Sequence, residues 1–215
     1  RARRGRASRR RRRGGDAARD DWPRAPRLIG GHAARVSESG RFADHFSAAS
    51  RAYAAHRPTY PDALVDALAD AVGDHDLAWD AGCGSGQLSL ALTRRFALVI
   101  ATDASAAQLA QAPSHERVEY RCERAESPSL TDASAALCVA AQAAHWFEPA
   151  TFRAAVERVV RPGGAVAFVG YGRPQFVDDG AVAAAFDELR DGLLGPYWPP
   201  ERGHVESGYR TLPFP

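Results

Sequence analysis

Residues 78–92 read AWDAGCGSGQLSLAL. Three glycines, Gly82, Gly84 and Gly86, alternate with small residues between a short apolar stretch and a run with helical patterning. Glycine is needed where the backbone takes a positive φ or must touch a ligand. A helix beginning at Gln87 would aim its free N–H groups and positive dipole end back at this loop. A bare strand-to-helix turn needs fewer glycines, so the stretch predicts a nucleotide-type cofactor loop.

The spacing narrows the cofactor. It is G-x-G-x-G, not the dinucleotide pattern G-x-G-x-x-G, and no Lys-Ser/Thr pair follows as in a phosphate-binding P-loop. Asp80 stands just ahead of Gly82. A carboxylate there would repel a pyrophosphate and suit an ammonium group. That favours S-adenosylmethionine (SAM), whose amino-acid end carries an amine, over NAD(P). Asp103 closes the next apolar run, where an acid can accept both ribose hydroxyls. Dinucleotide enzymes share that feature, so it does not discriminate. Ala125 and Glu126 follow the third predicted strand, where the adenine edge would lie.

Working outward, the pattern alternates. Strands are predicted at 77–82, 98–103, 118–126 (with the loop that follows), 135–142 and 165–172. Helices are predicted at 87–96, 105–112 and 148–161, the last stopped by Pro162-Gly163-Gly164. Ahead of the loop, residues 42–72 read as a helical lead-in, a proline-punctuated break at 58–61, and a helix N-capped by Asp62 with Leu64, Leu68, Ala71 and Val72 on one face. Strands alternating with helices of these lengths imply an α/β, Rossmann-like doubly wound parallel sheet with helices on both faces. Ligands then bind at the carboxyl ends of the strands. Residues 173–215 hold one more helix, near 178–194, and a segment rich in Pro, Tyr and Trp.

Charge is unevenly spread. The formal net charge of +2 combines 13 arginines and 4 acids in residues 1–40 with 15 arginines and 22 acids in residues 41–215. Residues 1–40 carry too little apolar surface to offset chain entropy and read as disordered. A single aromatic residue, Trp22, stands among the arginines, too few for stacking on bases, so this segment reads as a leader, not a nucleic-acid arm. The rest, 41–172 with an incomplete part at 173–215, is acidic, which argues against a nucleic-acid surface. There is no lysine and no methionine, which reads as GC-rich codon usage and a fragment or processed chain. Cys83, Cys122 and Cys138 are odd in number and fit neither a disulfide framework nor a zinc site; reduced thiols and a cytoplasmic location are expected. No apolar run reaches about 18 residues, so no membrane span is predicted.

The motifs together resemble the class I SAM-dependent methyltransferases of the methyltransferase type 11 family. DAGCGSGQ is similar to the family's first motif, VIATDAS to its ribose-binding strand, RAES to its adenine-side motif, and RVVRPGG to its late R-V-L-x-P-G-G turn. The resemblance covers about residues 42–172. It implies SAM as cofactor, held by Asp80, Gly82, Gly84, Gly86, Gln87, Asp103, Ala125, Glu126 and Gln142, with no metal. YAAHRPTYP and QAAHWFE are similar to a narrower group that includes trans-aconitate-methyltransferase-like proteins. That likeness implies a lid from Tyr53, Arg57 and Tyr60. It also implies that an antiparallel hairpin completes the sheet; the chain ends near where it would begin, so those strands are expected to be missing or truncated.

Methyl transfer is an in-line displacement that gains most from alignment and needs a base only for a protonated acceptor. The candidate region is Gln142–Phe147, just after the fourth strand. Gln142 could bond the cofactor, His145 could act as base or orient an acceptor, and Trp146 and Phe147 could wall the pocket. The acceptor is expected to be a small molecule; a carboxylate would suit Arg57 or Arg173 as clamp. The competing readings are a SAM-binding domain without activity and an NAD(P)-dependent oxidoreductase.

Overall fold

A computed structural model of the chain describes residues 60–177 and 179–214. The 1–40 segment, the lead-in at 42–59, Tyr53 and Arg57 lie outside the described residues.

Five strands form one parallel sheet in the order β3-β2-β1-β4-β5. They are β1 (Leu77–Ala81), β2 (Leu98–Asp103), β3 (Val118–Cys122), β4 (Ala135–Ala141) and β5 (Val160–Val169). β1 and β4 are buried almost throughout, as continuous apolar strands covered on both faces should be. Alternate residues of β1 separate two cores. Ala78 joins Leu68, Val72, Leu88, Leu92 and Phe96 on one face. Trp79 and Ala81 join Ile100, Cys138, Phe152, Val156 and Val159 on the other. The first core is closed by α1 (Asp62–Asp70) and α2 (Gln87–Leu92), the second by α4 (Pro149–Val159). The Rossmann-like expectation of a parallel sheet with helices on both faces is met.

Several boundaries differ from the sequence reading. Pro61, not Asp62, is the N-cap of α1: its extended backbone precedes the helix, and Asp62 sits in the first turn, where its charge favours the dipole. Val65 and Ala69 join Leu68 and Val72 on the buried stripe; Leu64 packs partly buried against the same core, and Ala71 is exposed. α2 ends at Leu92, and tighter turn bonds from Thr93, Arg94 and Arg95 carry the chain to Phe96. α3 is short, Ala106–Leu109, with the Ser105 hydroxyl accepting the Gln108 N–H.

The largest difference is at RVVRPGG. Helix α4 ends at Val159, and the chain enters β5 at once, Val160 pairing with Ala135. The Arg161–Gly164 stretch does not stop a helix; it is an irregularity in the strand, between the Ala135 and Leu137 partners. Gly164 is required there because a Cβ would lie 2.7 Å from the Ala136 carbonyl oxygen. β5 then ends at Val169, earlier than the sequence suggests.

The regular elements after β5 are helical. α5 (Gly180–Asp187) passes into a π-helical turn at Glu188–Leu193, and α6 (Arg202–Glu206) leads to Tyr209. No further strand follows among the described residues.

Candidate active site

Every described site residue predicted from the sequence lies at or beyond the carboxyl ends of the strands. The strand order places β1 between β2 and β4, so loops from opposite directions of winding diverge there and open a crevice.

The glycine loop follows β1. Gly82, Gly84 and Gly86 all have positive φ, 71°, 57° and 77°. The Gly82 and Cys83 N–H groups both donate to the Thr102 carbonyl, at 2.8 and 3.0 Å, stitching the loop to β2. At Gly82 a Cβ would lie 2.6 Å from Ala143 Cβ and 2.9 Å from Phe147 Cζ. At Gly86 it would meet the ring of Tyr120, a β3 residue tucked beneath the loop. These glycines are therefore required by close approach as well as by φ.

Asp80 is buried, and the Ser89 hydroxyl on α2 donates to its carboxylate at 2.6 Å. Asp80, Gly82, Gln87, Leu88, Tyr60 and Ala141 bound a hollow of about 10 Å³. That is room for one water-sized group. A carboxylate beside a hollow of that size matches an ammonium head. Burial and the neighbouring Asp80 and Asp103 carboxylates push the Cys83 thiol well above its usual pKa, so it stays neutral.

Asp103 serves the loop as well as any ligand. Its carboxylate accepts the Gly84 N–H and the Ser105 N–H, each at 2.8 Å. Ala125 is buried, and the Glu126 side chain is only 11% exposed. One Glu126 oxygen accepts the Glu148 N–H at 3.0 Å and the Arg124 guanidinium at 3.1 Å.

Gln142 follows β4 with φ 55°, and its N–H donates to the Val169 carbonyl at 2.8 Å. Its side-chain Nε2 is buried and has no hydrogen-bond partner among the described residues. A buried donor of that kind calls for a group to receive it. With the Asp80 hollow, it makes the residues present fit SAM.

His145 lies in the 3₁₀ turn Ala144–Trp146. Its Nδ1 is 3.3 Å from the hydroxyl of Tyr209, and the two rings stack at 6.1 Å. Burial pushes the His145 pKa down to about 4 and the Tyr209 pKa up to about 12. Both are neutral at physiological pH. The Trp146 ring lies 4.6 Å from that of His145 and is 36% exposed, at the rim. Phe147 packs inward on Phe152.

Sequence reasoning missed Ser89, Tyr120 and Tyr209. Ser89 and Tyr120 belong to a helix and a strand, where no motif marks them. Tyr209 is contributed from far down the chain. Arg173 is placed differently from its expected role: it is paired with Asp187 and Asp191, so it is not held ready for an acceptor carboxylate.

A family model described as a methyltransferase domain matches residues 79–168. The chain is 49% identical to a protein of solved structure from Anaeromyxobacter dehalogenans, provisionally named a type II methyltransferase; the match covers 74% of this chain and 67% of that one, with a TM-score of 0.68. The chain belongs to the class I SAM-dependent methyltransferases. A protein provisionally named a methyltransferase in Dictyostelium discoideum is 33% identical over 171 residues, which is 79% of this chain and 65% of that protein. An uncharacterized methyltransferase of Mycobacterium tuberculosis is 36% identical over 126 residues, 58% of this chain and 51% of that protein. The chain thus spans about half to two-thirds of the length of these curated relatives. The family's methyl donor is S-adenosylmethionine. Among the described residues no cluster of metal-ligating side chains occurs, and no helix is long and apolar enough to cross a membrane.

Proposed function

We propose that this methyltransferase passes the methyl group of SAM to a small-molecule acceptor by in-line displacement. Bound SAM supplies an electrophilic methyl carbon on a sulfonium. The observation that carries the reading is the Asp80 hollow beside the glycine loop, with the buried Gln142 Nε2 facing no partner of its own. Asp80 would hold the ammonium end, with Gly82, Gly84, Gly86 and Gln87 around it. Asp103 would take the ribose hydroxyls, Ala125 and Glu126 would flank adenine, and Gln142 would donate to the cofactor. Asp80 weighs against NAD(P), whose pyrophosphate a carboxylate would repel.

His145 would stand on the acceptor side, held by Tyr209, with Trp146 and Phe147 excluding water. A neutral imidazole can accept a proton from the acceptor or orient it by a hydrogen bond. The trans-aconitate-like subgroup and a carboxylate acceptor remain the narrower reading. For that acceptor Arg173 is committed elsewhere, which leaves Arg57 and the neutral donors as its supports, with Tyr53 in the lid. Three free cysteines favour a reducing, cytoplasmic setting.

Calorimetry with SAM, S-adenosylhomocysteine and NAD tests the cofactor. Heat with both sulfur nucleosides and none with NAD is expected; silence from both would overturn the reading. A SAM-consumption screen over carboxylic acids, phenols and amines then identifies the acceptor class.

A further inference from the structure

The turn that carries His145 and Trp146 is held at two points, and both belong to loops that face the cofactor site. At its start, Ala143 and, near its end, Phe147 rest on Gly82, so closely that no Cβ fits between them. At its end, the Glu148 N–H is bound by Glu126 from the loop after β3. Glu148 in turn caps α4: its carboxylate accepts the Ala150 and Thr151 N–H groups at 3.1 and 2.8 Å. The chain of contacts runs from the adenine-side loop, through one backbone N–H, into the start of α4 and the acceptor-side turn.

We propose that Glu126 is a positioning residue that couples occupancy of the cofactor loops to the turn Ala143–Glu148, so that cofactor binding orders the acceptor side. This rests on the SAM reading above. The physical basis is the geometry of one carboxylate. The same Glu126 oxygen receives the Arg124 guanidinium and the Glu148 N–H, which fixes its direction. Fixing the 124–126 loop with a bound nucleoside fixes that oxygen, and hence the end of the turn. The glycine loop fixes the start through Gly82. A ligand that rigidifies both loops removes the freedom of the segment between them, which is coupling through order.

Hydrogen exchange of the full chain, read by NMR at the Trp146 and Phe147 amides, tests this. Those amides close the turn through bonds to the Ala143 and Ala144 carbonyls. Glu126→Ala removes the acceptor, and Glu126→Gln keeps a carbonyl that can take the same bond. Glu148→Pro removes the N–H itself; the Glu148 φ of −74° and the extended Phe147 both accommodate proline. Glu148→Ala is its control, since both lose the cap and only proline loses the N–H. Without ligand, exchange should be about tenfold or more faster in Glu126→Ala than in wild type, and in Glu148→Pro than in Glu148→Ala. S-adenosylhomocysteine should slow these amides in wild type and Glu126→Gln. At concentrations that saturate each variant, it should fail to do so in Glu126→Ala and Glu148→Pro.

Equal ligand-induced slowing in Glu126→Ala or Glu148→Pro overturns the proposal. So does Glu126→Gln behaving as Glu126→Ala; where Glu126→Ala no longer binds, the Glu148→Pro and Glu148→Ala pair decides. If wild type binds no S-adenosylhomocysteine, the SAM reading fails, and the ligand-free comparison still decides whether the strap exists.

Discussion

Replacing Gly82 by alanine separates two costs that the structure places at one atom. The first is conformational: φ is +71°, where an L-residue pays about 1–2 kcal/mol. The second is steric. The new Cβ would lie 2.6 Å from Ala143 Cβ and 2.9 Å from Phe147 Cζ. Phe147 can swing, but Ala143 Cβ is fixed to the backbone, so the turn must shift, at about 1–3 kcal/mol. The sum, about 2–5 kcal/mol, should lower Tm by about 4–20 °C for a chain of this size. Circular dichroism melts of Gly82→Ala, Ala143→Gly and the double variant form a cycle. Ala143→Gly should recover the steric part in the Gly82→Ala background and leave the φ part. A Gly82→Ala melt within 1 °C of wild type, or no rescue in the double variant, would refute the close-approach argument.

Other outcomes follow from the same geometry. Ser89→Ala removes the donor to the buried Asp80 carboxylate and should cost about 1.5–3 kcal/mol in urea unfolding; a loss below about 0.5 kcal/mol would show that Asp80 is held otherwise. Asp103→Ala frees the Gly84 and Ser105 N–H groups and should weaken SAM about 10- to 100-fold by calorimetry; unchanged affinity would remove the ribose assignment. His145 has a folded pKa of about 4, below its unfolded value of 6.5. Its contribution is therefore full above about pH 6.5 and lost as pH falls toward 4, at roughly 1.4 kcal/mol per unit at most. Stability of His145→Gln should depend less on pH across that window than wild type, and parallel profiles would contradict the burial of a neutral imidazole.

The glycine loop and its flanking acids were legible because their requirements are local. Positive φ at Gly82, Gly84 and Gly86 demands glycine, and acids at strand ends recur at positions set by the sheet, so Asp80 and Asp103 stand out in the sequence. The β-α alternation likewise dictates a doubly wound sheet. What was not legible depends on partners distant in sequence. RVVRPGG reads as a helix stop because Pro and Gly break helices, yet pairing with Ala135 draws Val160 directly into a strand and converts the break into an irregularity within it. Arg173 reads as a free clamp until α5 and the turn after it bring Asp187 and Asp191 to it. Ser89 and Tyr120 look like ordinary helix and strand residues until the fold sets them against the glycine loop. Nothing near Tyr209 marks it; only the packing of Ala140, Ala144 and Phe168 around it shows where it goes.

That placement of Tyr209 has a consequence for how the site is assembled. His145 and Tyr209 are 64 residues apart in the chain. At ribosomal speeds of about 5–20 residues per second, several seconds separate their emergence. The glycine loop, Asp103 and the contact between Glu126 and Glu148 are all present before that interval ends, whereas the ring behind His145 is not. During synthesis the glycine-loop crevice can therefore mature first, and the packing around His145 is finished by a late segment that joins a sheet already formed.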